Sequence, residues 1–178
     1  MYVNVSLIKP FKKTASKVQP IDSATISDIL HTPGTDSLIG IKYTTIFALT
    51  TTCSLRVSEV CSIKIRDLDI DSITPAVRIH GKRQKYRTLP IEPKTLLLLR
   101  YYISLFHGKN LNPEAYLFYS GKNPMKKIDR SGISKGLKRY ALLVSPNLKG
   151  VHMHQLLHSG ATDLFNVGKM SISQIALF

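Results

Sequence analysis

The sequence predicts an α+β fold: a mainly α-helical domain with a small antiparallel β-sheet. Over most of the chain, apolar residues recur at i, i+3 and i+4 spacing, which is typical of helices packed on a core. In the middle, residues 77–80 and 86–91 alternate between polar and apolar side chains, as half-buried strands do. The five residues 81–85 that separate them suit the loop of a β-hairpin. We therefore expect helices on both sides of a hairpin that forms the sheet.

Start signals place the main helices, because capping residues and prolines precede several of the apolar patterns. In chain order, these start residues are Asp22 or Ser23, Ser37, Pro93 and Ser131. A turn near Cys53 and Ser54 is expected to end the second helix. Three further elements are predicted: a short helix over about 57–63, a strand over 116–119, and a C-terminal helix over 152–168.

Composition limits the class of protein. The chain has 178 residues, of which 43% are hydrophobic, so it can form one domain with a real core. It contains no long apolar stretch free of charge, which argues against a membrane span. Cys53 and Cys61 lack the spacing of a metal site, and we interpret them as free thiols in the reducing cytoplasm.

Charge is the strongest indication of a partner. Twenty-five Lys and Arg residues face 11 Asp and Glu, a formal net charge of +14. Such an excess on a folded domain points first to nucleic acid, and second to an anionic membrane or an acidic protein. We divide the chain into a basic connector, 1–20, and a domain, 21–178.

Two stretches within the domain concentrate this positive charge. One is the tip of the hairpin, and the other is the segment 122–149, where eight cations face a single acid, Asp129. A charge run is usually a solvated face, but runs this unbalanced favour a surface for DNA or RNA. The residues that we assign to such a surface are Arg83, Lys85, Arg87, Lys126, Lys127, Arg130, Lys135, Lys138 and Arg139.

Arg56 follows the apolar, threonine-rich run 39–55, where a guanidinium needs a partner. Glu59 lies three residues on, within reach on a helix. Two interpretations stay open on these residues alone. The pair either ties a helix to the core, or Glu59 orients Arg56 for binding an anion.

Histidines near the end of the chain allow a different hypothesis. His154 and His158 lie one helical turn apart, and His152 is close by. This spacing permits a zinc site, and with it a metal-dependent nuclease or hydrolase. The pattern lacks the glutamate that a metallopeptidase places between its histidines, so we predict no metal.

Four stretches, in this order, resemble the catalytic domain of tyrosine recombinases, the phage-integrase and Xer-like enzymes. They are residues 55–60 (LRVSEV), 66–69 (RDLD), 80–87 (HGKRQKYR) and 154–162 (HQLLHSGAT). In such enzymes a tyrosine attacks a DNA phosphodiester and forms a 3′-phosphotyrosyl link, without metal or cofactor. The resemblance implies a DNA breaking-rejoining fold, double-stranded DNA as the partner, and association with other recombinase protomers.

The resemblance also implies roles for individual residues. Arg56 is the first catalytic arginine, which stabilises the negative charge of the transition state. Lys82 in the hairpin is the general acid, and His154 is the first histidine of its box. Glu59 is the residue that orients Arg56.

This sequence departs from the family's pattern at several positions. Leu157 replaces the second arginine, Arg83 and Ser54 replace common glycines, and no tyrosine follows Tyr140. We therefore expect a domain, incomplete at its C-terminus, that binds DNA without cleaving it alone. The alternatives are a non-enzymatic DNA-binding module, which pairs with a full-length recombinase or occupies its sites, and the histidine-based hydrolase.

Overall fold

The computed structural model describes residues 21–81, 85–153 and 155. Over these residues the chain forms five α-helices and a three-stranded antiparallel sheet, which confirms the α+β prediction. The elements are α1 (Ser23–His31), α2 (Leu38–Thr52), α3 (Val57–Val60), β1 (Leu68–Asp69), β2 (Ala76–His80), β3 (Tyr86–Pro90), α4 (Pro93–Phe106) and α5 (Arg130–Val144). None of the helices in this part of the chain has the length and apolarity needed to cross a membrane.

Helix α2 lies at the centre of the core and packs against α1, α3 and α4. Its residues from 44 to 51 are all buried, although four of these eight are threonines, which are poor helix formers in isolation. Three of these four threonines satisfy their hydroxyls within the helix: Thr45, Thr50 and Thr51 each donate to the carbonyl four residues earlier. The fourth, Thr44, donates to the Gly34 carbonyl. Threonine therefore behaves here as an apolar residue, and α2 continues to Thr52.

Close packing joins α2 to α5. We call this contact the α2–α5 seam and define it by Tyr43, Phe47, Gly132, Gly136 and Tyr140. The Tyr43 ring lies edge-on to Tyr140, with centroids 5.4 Å apart, and its hydroxyl donates to the Gly132 carbonyl at 3.1 Å. A Cβ atom at Gly136 would stand only 2.0 Å from Cε1 of Tyr43. Glycine at 136 is therefore what lets the tyrosine ring lie against α5.

The sheet has the strand order β1-β2-β3, so the hairpin supplies two strands and β1 adds a third. Ile79 pairs with Arg87 and His80 with Tyr86, at the end of the hairpin next to its loop. The loop 81–85 has the predicted length, and the Gly81 amide donates to the Lys85 carbonyl at 2.7 Å. Pro90 is tolerated because β3 lies at the edge of the sheet.

Two predicted elements end differently because distant segments compete for their backbone. Helix α3 stops at Val60 and does not reach residue 63. The Ile63 carbonyl instead accepts from the Leu117 amide at 2.8 Å, and the Ile65 amide donates to the Ala115 carbonyl at 2.9 Å. The predicted strand 116–119 forms only isolated bridges, through Tyr116 and Tyr119, to two different segments.

Two further details correct the prediction. Asp129, not Ser131, is the N-cap of α5, and the Ser131 hydroxyl donates to the Asp129 carboxylate. Strand β1 was not predicted, because two residues are too few to show an alternating pattern.

Candidate functional site

A tight turn delivers Arg56 to the surface. Ser54 adopts a positive φ of 49°, and the chain reverses so that Leu55 points into the core and is fully buried. Arg56 is the N-cap of α3, and its side chain is 77% exposed. Arg56 is therefore not an arginine buried in an apolar run. This geometry argues against the interpretation in which it anchors a helix to the core.

Glu59 accepts hydrogen bonds from a backbone amide and from a side chain at the same time. One oxygen, Oε2, accepts from the Arg56 amide at 2.8 Å and so caps α3. Both oxygens accept from Arg87 on β3, each at 2.9 Å, in a bidentate pair. The side chain of Arg56 reaches Glu59 only at 3.5 Å. Glu59 thus fixes the backbone of Arg56 and the guanidinium of Arg87.

Electrostatics agree with this arrangement. Burial alone would raise the pKa of Glu59, since only 10% of its side chain is exposed. The hydrogen bonds from Arg87 and from the Arg56 amide, together with the charges of both arginines, hold the pKa below its usual value. The hydrogen bond to Glu59 raises the pKa of Arg87. The carboxylate is therefore ionised at neutral pH, and Arg87 is charged.

An open cleft forms between α3 and the hairpin. It is lined by Arg56, Ser58, Glu59, His80, Gly81 and Arg87. The Arg56 guanidinium at its mouth has donors that Glu59 leaves available within the described part of the chain, and such a fork matches a phosphate or carboxylate. We call this the arginine cleft. It is suited to binding an anion from solvent.

A second carboxylate lies under the other strand of the hairpin. Asp67 accepts from the Lys64 amide at 2.9 Å and from Nε2 of His80 at 2.8 Å. Neither residue was among our predicted site residues. The sequence did hold a signal: Lys64 and Asp67 repeat the i, i+3 spacing of Arg56 and Glu59.

The predicted basic residues that the structure describes are all exposed. They are Lys85, Arg87, Lys126, Lys127, Arg130, Lys135, Lys138 and Arg139. Lys127 and Arg130 lie close enough to Cys61, at the end of α3, to lower its pKa, although burial is the larger effect and raises it to about 11. Two of the basic residues therefore lie near the end of α3, the helix that starts after Arg56.

Three predicted residues, Lys82, Arg83 and His154, lie outside the described residues, as do Leu157 and His158. The family resemblance predicts that Arg56, Lys82 and His154 converge on one basic pocket, and this remains a prediction. Within the described ranges, the structure contains no group of three or more His, Cys, Asp or Glu side chains that could hold a metal ion.

The sequence model of the phage integrase family matches residues 19–176, nearly the whole chain. The chain belongs to this family. A tyrosine recombinase of Thermosipho africanus is 33% identical over 151 residues, which cover 80% of this chain and 50% of that protein. Tyrosine recombinase XerD of Chlamydia trachomatis is 34% identical over 140 residues, which cover 77% of this chain and 44% of that protein.

Solved structures show the same fold. XerH site-specific recombinase, in a post-cleavage complex with a palindromic difH substrate, superimposes with a TM-score of 0.68 at 16% identity. The match covers 97% of this chain and half of that one. XerA recombinase gives a TM-score of 0.63 at 21% identity, over 87% of this chain and 53% of that one. The chain spans about half the length of the curated relatives that it matches.

Proposed function

We propose that this chain binds double-stranded DNA through the arginine cleft, as part of site-specific recombination of the tyrosine recombinase type. One observation carries the proposal: the exposed guanidinium of Arg56 stands beside Arg87, which Glu59 holds in place. Family membership supports it, since related recombinases act on DNA sites. We place this function in the cytoplasm, in keeping with two buried free thiols, Cys53 and Cys61.

The chemistry follows from the charge of a phosphodiester. Arg56 binds the non-bridging oxygens with its fork of donors and stabilises the charge that grows when the phosphorus is attacked. Lys82, which follows Gly81 in the hairpin, donates a proton to the leaving oxygen. His154 takes part in proton transfer at the nucleophile. Neither a metal nor a cofactor is needed for these steps.

Leu157 limits what the chain does alone. It has no donor for the phosphate, and loss of one such donor costs on the order of 100- to 1,000-fold in rate. We therefore propose DNA binding without efficient cleavage by this chain, and association with other protomers of a recombinase. Domain 21–178 supplies the DNA-binding surface, and the connector 1–20 adds phosphate contacts.

The direct test compares Arg56→Ala with Lys109→Ala in fluorescence-anisotropy titrations of a labelled duplex. Both variants remove one exposed positive charge, but Lys109 does not line the cleft. We expect Arg56→Ala to weaken binding about 10- to 100-fold, the effect of a hydrogen-bonded charge pair, and Lys109→Ala to change it about twofold or less. Equal effects of the two variants would contradict a site at Arg56.

Salt dependence tests the wider surface. Five to eight phosphate contacts, our estimate for the hairpin tip and residues 122–149, give a log–log slope of about −4 to −7. Replacing Lys135, Lys138 and Arg139 together by alanine should make the slope shallower by about 3. Binding that does not change with salt would refute a phosphate-binding surface.

A further inference from the structure

At the end next to the loop, both strands of the hairpin are held to neighbouring segments by side-chain contacts, which we call clasps. On β3, Arg87 forms the bidentate pair with Glu59 of α3. On β2, His80 is bonded to Asp67, in the 3₁₀ helix Ile65–Asp67. The two clasps act on neighbouring rungs of the ladder, since Ile79 pairs with Arg87 and His80 pairs with Tyr86. They lie directly below the loop 81–85.

The two carboxylates have the same arrangement of partners. Glu59 caps the helix that starts at Arg56, and Asp67 caps the turn that starts at Lys64. In each, one oxygen accepts a hydrogen bond from the backbone amide three residues earlier, and the carboxylate also binds a side chain of the hairpin. The side chains are 10% and 4% exposed, and burial of a carboxylate at this level is costly unless it has hydrogen-bond partners.

Asp67 fixes the His80 ring in one orientation. A carboxylate only accepts, so Nε2 of His80 carries the proton that lies between them at 2.8 Å. The Tyr86 ring packs edge-on to the imidazole, with centroids 4.7 Å apart. His80 lines the arginine cleft together with the next residue, Gly81. The ring is thus held from below by Asp67 and from the side by β3.

We propose that Asp67 and His80 are positioning residues that keep the β2 wall of the arginine cleft opposite Arg56. Glu59 alone would hold only β3, because Arg87 is its sole partner on the hairpin among the described residues. The consequence for DNA rests on the proposed function, whereas the consequence for the hairpin does not. DNA affinity depends on this pair through the placement of His80 and Gly81, which line the cleft.

Hydrogen–deuterium exchange of the full chain, without DNA, tests the positioning directly. The variants are His80→Leu, which cannot donate to Asp67, and His80→Gln, whose side-chain amide can. Arg78→Gln, on the same exposed face of β2, is the control. In His80→Leu we expect the amides of residues 80–87 to exchange about tenfold faster, the factor for losing a hydrogen bond to a charged group. In His80→Gln and Arg78→Gln the exchange rates should stay within about threefold of the wild type. The first variant keeps a donor for Asp67, and the second keeps the whole His80–Asp67 contact.

The pattern along the chain separates positioning from general stability. Helices α2 and α4 should exchange at the wild-type rate in His80→Leu. Equal acceleration in these helices and in the hairpin would overturn the proposal, and so would unchanged exchange of residues 80–87. Rescue by glutamine distinguishes the hydrogen bond from the bulk of the ring.

DNA binding then gives the functional readout. We expect His80→Leu to lose about tenfold in affinity for the duplex, and His80→Gln to recover most of it. Wild-type affinity in His80→Leu, despite faster exchange of the hairpin, would overturn positioning of the cleft. If the wild type itself bound no DNA, the proposed function would fail, and the exchange pattern alone would decide the role of Asp67 and His80 in the hairpin.

Discussion

The α2–α5 seam and the loop end of the hairpin are held together by opposite kinds of interaction. In the seam, the Tyr43 ring fills the space that Gly136 leaves, and aromatic rings pack against one another. At the hairpin, two nearly buried carboxylates bind Arg87 and His80. Shape therefore decides the first contact and charge decides the second.

The two regions should respond differently to pH. Burial raises the pKa of Tyr43 and of Tyr140, so the seam carries no charge at neutral pH. Glu59 at the hairpin titrates in acid, with a pKa held below its usual value. The difference teaches that the α2–α5 seam does not depend on a charge at neutral pH, whereas the wall of the arginine cleft depends on an ionised carboxylate.

The largest expected effect is in the seam. Gly136→Ala places a methyl group 2.0 Å from Cε1 of Tyr43, so the ring must move away to relieve the clash. We expect a loss of about 3 kcal/mol in the free energy of unfolding, measured by urea denaturation. Gly132→Ala is the matched control, because its Cβ would meet nothing closer than Ile128 at 3.7 Å. That variant should gain up to about 1 kcal/mol from helix propensity, and a similar loss in both variants would show that the seam is not tightly packed.

The second effect separates the regions by charge. Glu59→Gln removes the charge that holds Arg87, and we expect a loss of about 2 kcal/mol at pH 7. Because the pKa of Glu59 is lowered in the folded chain, its contribution is present at neutral pH and is lost as pH falls through that lowered value. The difference in urea stability between wild type and variant should therefore shrink in acid.

Glu114→Gln is the control for this experiment. Glu114 pairs with Lys64 and Arg66, but about half of its side chain is exposed. An exposed pair contributes little, so this variant should have a clearly smaller effect at pH 7. Equal effects of the two substitutions would remove the contrast between a buried and an exposed carboxylate.

The smallest effect concerns the turn that leads into the cleft. Ser54 has a φ of 49°, where a side chain is disfavoured by about 1 kcal/mol or more. Ser54→Gly should therefore raise the free energy of unfolding by about 1 kcal/mol. The control is Ser104→Gly in the interior of α4, which should lower it by about 0.5 kcal/mol. Destabilisation by Ser54→Gly would mean that the hydroxyl, not the backbone, matters at this turn.

Much of the fold could be predicted because its signals are local. The first cap (predicted at Asp22 or Ser23, found at Asp22), the start at Ser37 and the hairpin depend on residues near in sequence. The hairpin, predicted over 77–91, is observed over Ala76–Pro90, within one residue at each end. The predicted helix 57–63 ends early, at Val60, and the predicted strand 116–119 forms only isolated bridges, for one shared reason. Their backbones bond to each other, through Ile63 and Leu117, across more than fifty residues.

By itself, the sequence determined the fold class, the positive surface and the family, because composition, periodicity and motif order need no coordinates. It also brought Arg56 and Glu59 to attention as a pair. Only the tertiary structure decided that Glu59 binds Arg87 through both of its oxygens and leaves the Arg56 side chain 77% exposed. It likewise decided that Asp67 meets His80. The physical reason is that a carboxylate binds whichever donor the folded chain brings within 3 Å, and packing of the hairpin against α3 makes that choice.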